Sequence, residues 1–197
     1  MRIGLLGGAF DPPHNGHIAV AKAVLAAKGL SRVDLLVSAQ SPHANGKSNT
    51  ADVQHRLAMA RLAAEGHEGL GIEDCEARRP GKSYTVETLR ALKHAHPGNE
   101  YYFIVGADMV ADLPNWREPE TCLQLATFVP VIRPGYSILV FETLPAALQS
   151  VRMNLVQVPP MEISSTRIRQ AAAAGESISA WVAPAVESYI RAHRLYT

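Results

Sequence analysis

The chain has only two cysteines in 197 residues, Cys75 and Cys122. They form no CxxC pair and no metal-ligand spacing, so they read as reduced thiols packed like ordinary side chains, and a cytoplasmic setting is expected. Charge is also scarce. Charged residues make up 19% of the chain and the formal net charge is +1, which gives no electrostatic case for nucleic acid or a membrane surface. No apolar run approaches membrane-spanning length. The first, Ile3 to Leu6, is too short for a secretory leader. Repeats and low-complexity tracts are missing. So are three familiar signatures. The dinucleotide fingerprint GxGxxG fails on spacing, because Gly4 and Gly7-Gly8 do not match it. Two GKS tripeptides, Gly46-Lys47-Ser48 and Gly81-Lys82-Ser83, lack the glycine that a P-loop needs five residues earlier, where Ser41 and Glu76 stand. No GxSxG elbow marks a serine hydrolase.

What is present is an ordinary core-forming composition, 47% hydrophobic, over a length that suits one domain. We read residues 1–197 as a single domain with residues 160–197 as a C-terminal helical subregion. Apolar runs at Arg2 to Leu6, Val33 to Val37, Tyr101 to Val105 and Phe128 to Ile132 predict buried strands. Leu70 to Ile72 and Met153 to Val158 predict two more. Helical patterns fall at 17–28, with Val20, Ala23, Val24 and Ala27 as one face, and at 52–64, 85–95 and 165–174. A short helix closes at 122–126, and a last one starts at Pro184. Strands alternating with helices predict an α/β fold with a mostly parallel, Rossmann-like sheet covered on both faces. Ligands in such folds sit beyond the carboxyl ends of the strands. The loops at 7–17, 38–47 and 106–108 fall there.

The first loop carries the strongest signal: Gly7-Gly8-Ala9-Phe10-Asp11-Pro12-Pro13-His14-Asn15-Gly16-His17. Gly7 and Gly8 read either as a tight turn or as a place where backbone approaches a phosphate or sugar closely. Asp11-Pro12-Pro13 is a stiff turn that holds His14 in place. His14 and His17, at a helix start whose free amides add positive potential, suit one anionic group. Zinc ligation by the pair competes, but no third ligand stands at compatible spacing. Ser164-Ser165-Thr166-Arg167-Ile168-Arg169 is the second piece. Its hydroxyls serve as helix caps or, with free amides and two arginines, surround a triphosphate. Gly106-Ala107-Asp108 follows a strand, and Asp108 is a helix cap, a group that accepts from ribose hydroxyls, or one that helps organise magnesium. Trp116, in a turn-prone context, either stacks on a flat ring or packs in the core.

Together these residues resemble the nucleotidyltransferase superfamily with the HxGH signature, and within it the bacterial nicotinate-mononucleotide adenylyltransferases. The likeness spans almost the whole chain. Besides the histidine loop it rests on Ser83-Tyr84-Thr85, Ile104-Val105-Gly106-Ala107-Asp108, Leu113-Pro114-Asn115-Trp116, Arg133-Pro134-Gly135 and Ile163 to Arg169. The resemblance implies AMP transfer from ATP to nicotinate mononucleotide by direct in-line attack, giving deamido-NAD and pyrophosphate. It implies His14, His17 and Arg169 as catalytic residues. Gly7, Gly8, Phe10, Gly106, Asp108, Ser165 and Thr166 join them in binding ATP. Trp116 is expected to stack on the nicotinate ring, with backbone around Thr85 and after Trp116 facing its carboxylate. Mg2+ is expected mainly on ATP phosphates, with no dense carboxylate cluster to hold it. The sequence departs from the family at Ala44, where relatives place a lysine after His43. Lys47 is the expected substitute, ahead of Lys82. Arg117 stands where relatives often have tyrosine, and its cation offers attraction for an acidic substrate. Dual specificity for the nicotinamide mononucleotide is the alternative. A phosphopantetheine-type acceptor and a non-catalytic nucleotide-binding module are more distant, and the oligomeric state is not legible.

Overall fold

Apolar stretches that alternate direction on a strand fill both faces of a sheet, and this chain does so throughout. The computed structural model describes residues 1–40, 50–132, 138–160 and 162–197. Six strands form one parallel sheet: β1 (Arg2–Gly8), β2 (Arg32–Val37), β3 (Leu70–Glu73), β4 (Glu100–Gly106), β5 (Thr127–Ile132) and β6 (Val156–Gln157), in the order β3-β2-β1-β4-β5-β6. Leu6, Val33, Leu35, Ile104 and Val129 face one core. Ile3, Leu5, Leu36, Phe103 and Phe128 face the other. Both faces are thus covered, as continuous apolar strands demand. Burying one such side chain stabilises by about 1.5–3 kcal/mol.

The first core is covered by α1 (Asn15–Lys28), α2 (Val53–Ala64), α6 (Ser165–Ala173) and α7 (Pro184–Ala192), so the C-terminal helices share the core of the first three strands. The second is covered by α3 (Thr85–Ala95), whose Val86, Leu89 and Leu92 form the predicted stripe, and by α5 (Pro119–Leu125). The short α4 (Ala107–Asp112) leaves β4 directly. Gly29 closes α1 at φ +55°, a left-handed position that glycine adopts without a Cβ clash.

Three expectations need correction. The strand β1 does not end at Leu6. Gly7 and Gly8 continue it, opposite Leu36 and Val37, because β2 runs on beside them and supplies ladder partners. The buried face of α1 is Ile18, Ala21 and Val24 rather than a stripe ending at Ala27, which is exposed. Alanines pack on either side, and the larger Ile18 decides the orientation. The strand expected over Met153 to Val158 shrinks to Val156–Gln157, which pair with Val131 and Ile132 of β5. Ala146–Asn154 winds instead into 3-10 turns with Leu148 and Val151 buried and Met153 77% exposed.

In this strand order the chain moves outward in opposite directions from β1 and from β4. The crevice between their carboxyl ends is the topological switch point at which such sheets bind ligands.

Candidate active site

A cavity of about 270 Å³ opens at that crevice. Its floor is made of backbone from Gly7, Gly8 and Gly106, and its walls include Thr85, Met109 and Trp116. The three glycines keep the floor low. A Cβ on Gly8 would lie 3.2 Å from the Phe10 ring, so that position is filled from below. Phe10 itself does not line the cavity. It is 2% exposed, at φ +50°, and its ring meets the edge of His17 at 4.9 Å between centroids. A left-handed backbone is costly for a phenylalanine, and burial of the ring offsets that cost. Phe10 therefore supports the loop from the core side.

The histidine loop begins at Ala9. His14 is the N-cap of α1 and His17 the third helical residue, two positions deeper than the sequence pattern suggested. The His14 backbone N–H donates to His17 Nδ1 at 3.1 Å, and the two rings stack at 3.7 Å between centroids. A ring nitrogen that accepts a hydrogen bond carries no proton, so His17 holds its proton on Nε2. Burial, followed by the neighbouring His14, pushes the His17 pKa well below its usual value. His17 is thus a neutral hydrogen-bond donor rather than a second cation.

The N-terminus of α6 docks against the same loop. Ser165 Oγ donates to the Pro12 carbonyl at 2.9 Å, and Arg169 Nη1 donates to the Asp11 carbonyl at 2.7 Å. Arg169 Nη2 also reaches Thr166 Oγ1 at 3.4 Å, while Thr166 stays exposed. Ser164 is an ordinary cap, its Oγ accepting from the Arg167 amide at 3.3 Å. Two helix N-termini, those of α1 and α6, therefore converge on the 11–14 turn, and each adds positive potential.

Trp116 is 8% exposed and packs edge-on against Phe103 and Phe128. It is a core residue that also forms a cavity wall, so its two readings are not exclusive. Thr85 opens α3 and lines the cavity, which places the first amides of that helix at its rim. Arg117 is drawn elsewhere: its Nη1 pairs with Glu87 Oε1 at 2.6 Å, and its guanidinium lies over the Tyr84 ring. Gly106 caps α4 and lines the cavity, and Asp108 is the second residue of that helix, its side chain outside the described part. Lys47, Ala44 and the Arg133-Pro134-Gly135 segment also lie outside the described residues. Among the described residues no group of three or more His, Cys, Asp or Glu side chains is placed to hold a metal ion. Both cysteines are free, and burial pushes their thiols up to about 12 for Cys75 and about 11 for Cys122.

Several supporting residues escaped the sequence reading. Arg56 is 1% exposed and donates to four buried or half-buried carbonyls: Ala51 at 3.1 Å, Ala9 at 2.6 Å, Ser38 at 2.7 Å and Ala39 at 2.9 Å. One guanidinium thus ties the loop after β1 to the loop after β2. Burial lowers its pKa, with Asp11 nearby opposing the shift. A signal existed, since Arg56 interrupts the apolar stripe of Met59, Ala60 and Ala63. Asp11 was read only as a turn residue. It is 5% exposed and accepts from the Thr50 amide at 2.7 Å, the Ala51 amide at 3.3 Å and the Tyr196 hydroxyl at 2.7 Å. Tyr196 lies 185 positions away, beyond the reach of any local pattern. Burial and then Asp11 push its phenol pKa upward.

The cytidylyltransferase-like family model matches residues 5–171. A probable nicotinate-nucleotide adenylyltransferase of Symbiobacterium thermophilum is 42% identical over 99% of this chain and 95% of its own. One from Roseiflexus is 44% identical over 98% of this chain and 97% of its own. Among solved structures, the Plasmodium falciparum nicotinic acid mononucleotide adenylyltransferase complexed with NaAD superposes with a TM-score of 0.75. It is 19% identical and covers 99% of this chain and 97% of its own, so the likeness is one of fold.

Proposed function

The chain belongs to the cytidylyltransferase-like family and, within it, to the nicotinate-nucleotide adenylyltransferases; from that premise we propose that it transfers AMP from ATP to nicotinate mononucleotide, releasing pyrophosphate and deamido-NAD. The observation that carries this reading is the convergence of the two helix N-termini, His17 and Arg169 on one turn, beside a glycine-floored cavity at the switch point.

The chemistry asks little of the protein in proton transfer. A phosphate oxygen of the mononucleotide, already anionic at neutral pH, attacks the α-phosphorus of ATP. The bond from that phosphorus to the oxygen bridging the β-phosphate breaks, and pyrophosphate leaves with the electron pair. The barrier lies in bringing two anions together and in charge that builds on the phosphoryl oxygens. The protein's part is orientation and charge stabilisation. His17 donates from Nε2, its tautomer fixed by the His14 amide. His14 stacks on it and faces the same phosphates. Arg169, held by the Asp11 carbonyl, supplies a full positive charge. Ser165 and Thr166 open the helix whose free amides complete the triphosphate site, and Gly7, Gly8, Gly106 and Asp108 line the adenosine side. Magnesium would arrive as the ATP complex and would neutralise phosphate charge there.

The acceptor ring lies against Trp116, with the first amides of α3 at Thr85 facing its carboxylate. For Arg117 this assigns the backbone rather than the guanidinium, which is committed to Glu87. Lys47 is proposed to supply the cation that Ala44 does not. The test is product identity. Purified protein with ATP, magnesium and nicotinate mononucleotide should form deamido-NAD and pyrophosphate in equal amounts. Failure to form either would overturn the proposal.

A further inference from the structure

Every side chain lining the cavity is apolar or neutral except Glu76, among the described residues. Glu76 is 5% exposed, although it belongs to none of the helices or strands. A buried carboxyl facing a cavity that is to receive a carboxylate calls for an explanation, since a free negative charge there would repel the substrate.

The hydrogen bonds supply one. Thr88 Oγ1 donates to Glu76 Oε1 at 2.7 Å. Arg79 Nη2 donates to the same Thr88 oxygen at 2.6 Å. A hydroxyl has one proton, so the arginine occupies the oxygen's acceptor side and turns the proton toward Glu76. The result is a directed relay, Arg79 to Thr88 to Glu76, whose cation balances the acid. Thr88 is in the first turn of α3, and its position is therefore set by Glu76 from outside the helix. The segment between the two ends of the relay carries Ser83, Tyr84 and Thr85. It is pinned a second time where the Ser83 amide donates to the Gln40 carbonyl at 2.9 Å. Tyr84, the N-cap of α3, makes no side-chain capping bond, so the orientation of the first turn depends on these outside anchors. Burial raises the Glu76 pKa, while Thr88 and Arg79 oppose that rise.

We propose that Glu76, acting through Thr88 and Arg79, is a positioning residue that aims the first amides of α3 into the cavity and thereby sets the preference for an acceptor bearing a ring carboxylate. The proposal rests on the function assigned above and deepens it. Glu76 touches no reacting atom. Its effect belongs in the acceptor's KM and in the acid-to-amide ratio, and not in the use of ATP.

The test is steady-state kinetics of Glu76→Ala, Glu76→Gln and Thr88→Val with nicotinate mononucleotide, nicotinamide mononucleotide and ATP. Glu76→Ala and Thr88→Val should each raise KM for the acid mononucleotide about tenfold, lower the acid-to-amide ratio by a similar factor, and leave KM for ATP within about twofold. Glu76→Gln keeps an acceptor for the Thr88 hydroxyl and should recover the ratio to within about threefold of the unaltered protein. Equal rises in both KM values, or an unchanged ratio in Thr88→Val, would overturn the proposal. Thr88→Val is nearly isosteric and decides the matter if Glu76→Ala does not fold. A failure of the underlying function would show separately, as absent turnover of the acid mononucleotide by the unaltered protein.

Discussion

The two halves of the site are built on opposite principles. The proposed phosphate side, from Asp11 to His17 with the start of α6, is a mesh of polar bonds: Ser165 to Pro12, Arg169 to Asp11, Tyr196 to Asp11, and Arg56 to Ala9. The proposed acceptor side is mostly shape, with Trp116 and Met109 beside the cavity and one compensated acid. Charge that develops during a reaction is best met by donors already fixed in place. A flat ring is best met by a dry wall, and its polar substituent by a few aimed amides. The comparison therefore predicts a division of effects. Changes on the first side should appear in turnover, and changes on the second in acceptor binding and choice.

The largest expected break is His17→Ala. It removes the Nε2 donor and the partner of the His14 amide, and kcat should fall about a thousandfold, roughly 4 kcal/mol, with the helix content retained. A kcat within about tenfold of the unaltered value would remove His17 from the catalytic role.

Next is Arg56→Ala, which touches no substrate. It leaves four carbonyls, two of them buried and two half-buried, without their donor and should cost about 3–5 kcal/mol of stability, read as a lower urea midpoint. An unchanged midpoint would mean that the loops after β1 and β2 do not need this clamp.

Trp116→Phe sharpens the contrast from the other side. It keeps an aromatic wall against Phe103 and Phe128 but reduces the face offered to the ring. KM for the acceptor should rise about tenfold while KM for ATP holds within about twofold. Equal changes in both would show that the two halves are not separable.

The smallest effect concerns pH. The folded state depresses the His17 pKa, so the unfolded chain takes up this proton first. The stability tied to neutral His17 is complete above the unfolded value of about 6.5. It is lost as pH falls below that value toward the folded one, at up to about 1.4 kcal/mol per pH unit. Turnover should likewise not depend on His17 protonation from neutral pH upward. Urea melts between pH 7.5 and 5, compared between the unaltered protein and His17→Ala, isolate the contribution. The advantage of the unaltered protein over His17→Ala should shrink as pH falls from 7.5 to 5, and an advantage that grows toward acid would reverse the assignment.

The same contrast explains what could be read in advance. Parallel strands and their helices were legible because each is a local pattern, and His14, His17 and Ser164 to Arg169 were legible because they are short and contiguous. The cavity wall was half legible. Trp116 stood out by composition, yet only packing shows that it is core and wall together. The supporting set was not legible. Arg56 bonds to carbonyls that any residue carries, and Tyr196 meets Asp11 only after the C-terminal helices fold back. The continuation of β1 through Gly7 and Gly8 was hidden for a related reason. Glycine reads as a turn until a neighbouring strand is there to pair with it.

The central claim is that this chain adenylylates an acidic pyridine mononucleotide and selects it through aimed backbone amides. The most direct measurement is pyrophosphate release with ATP and magnesium, comparing kcat/KM for nicotinate and nicotinamide mononucleotides. The account predicts a preference for the acid of at least about 100-fold, which is about 2.7 kcal/mol of differential transition-state binding. Comparable values for the two would contradict it.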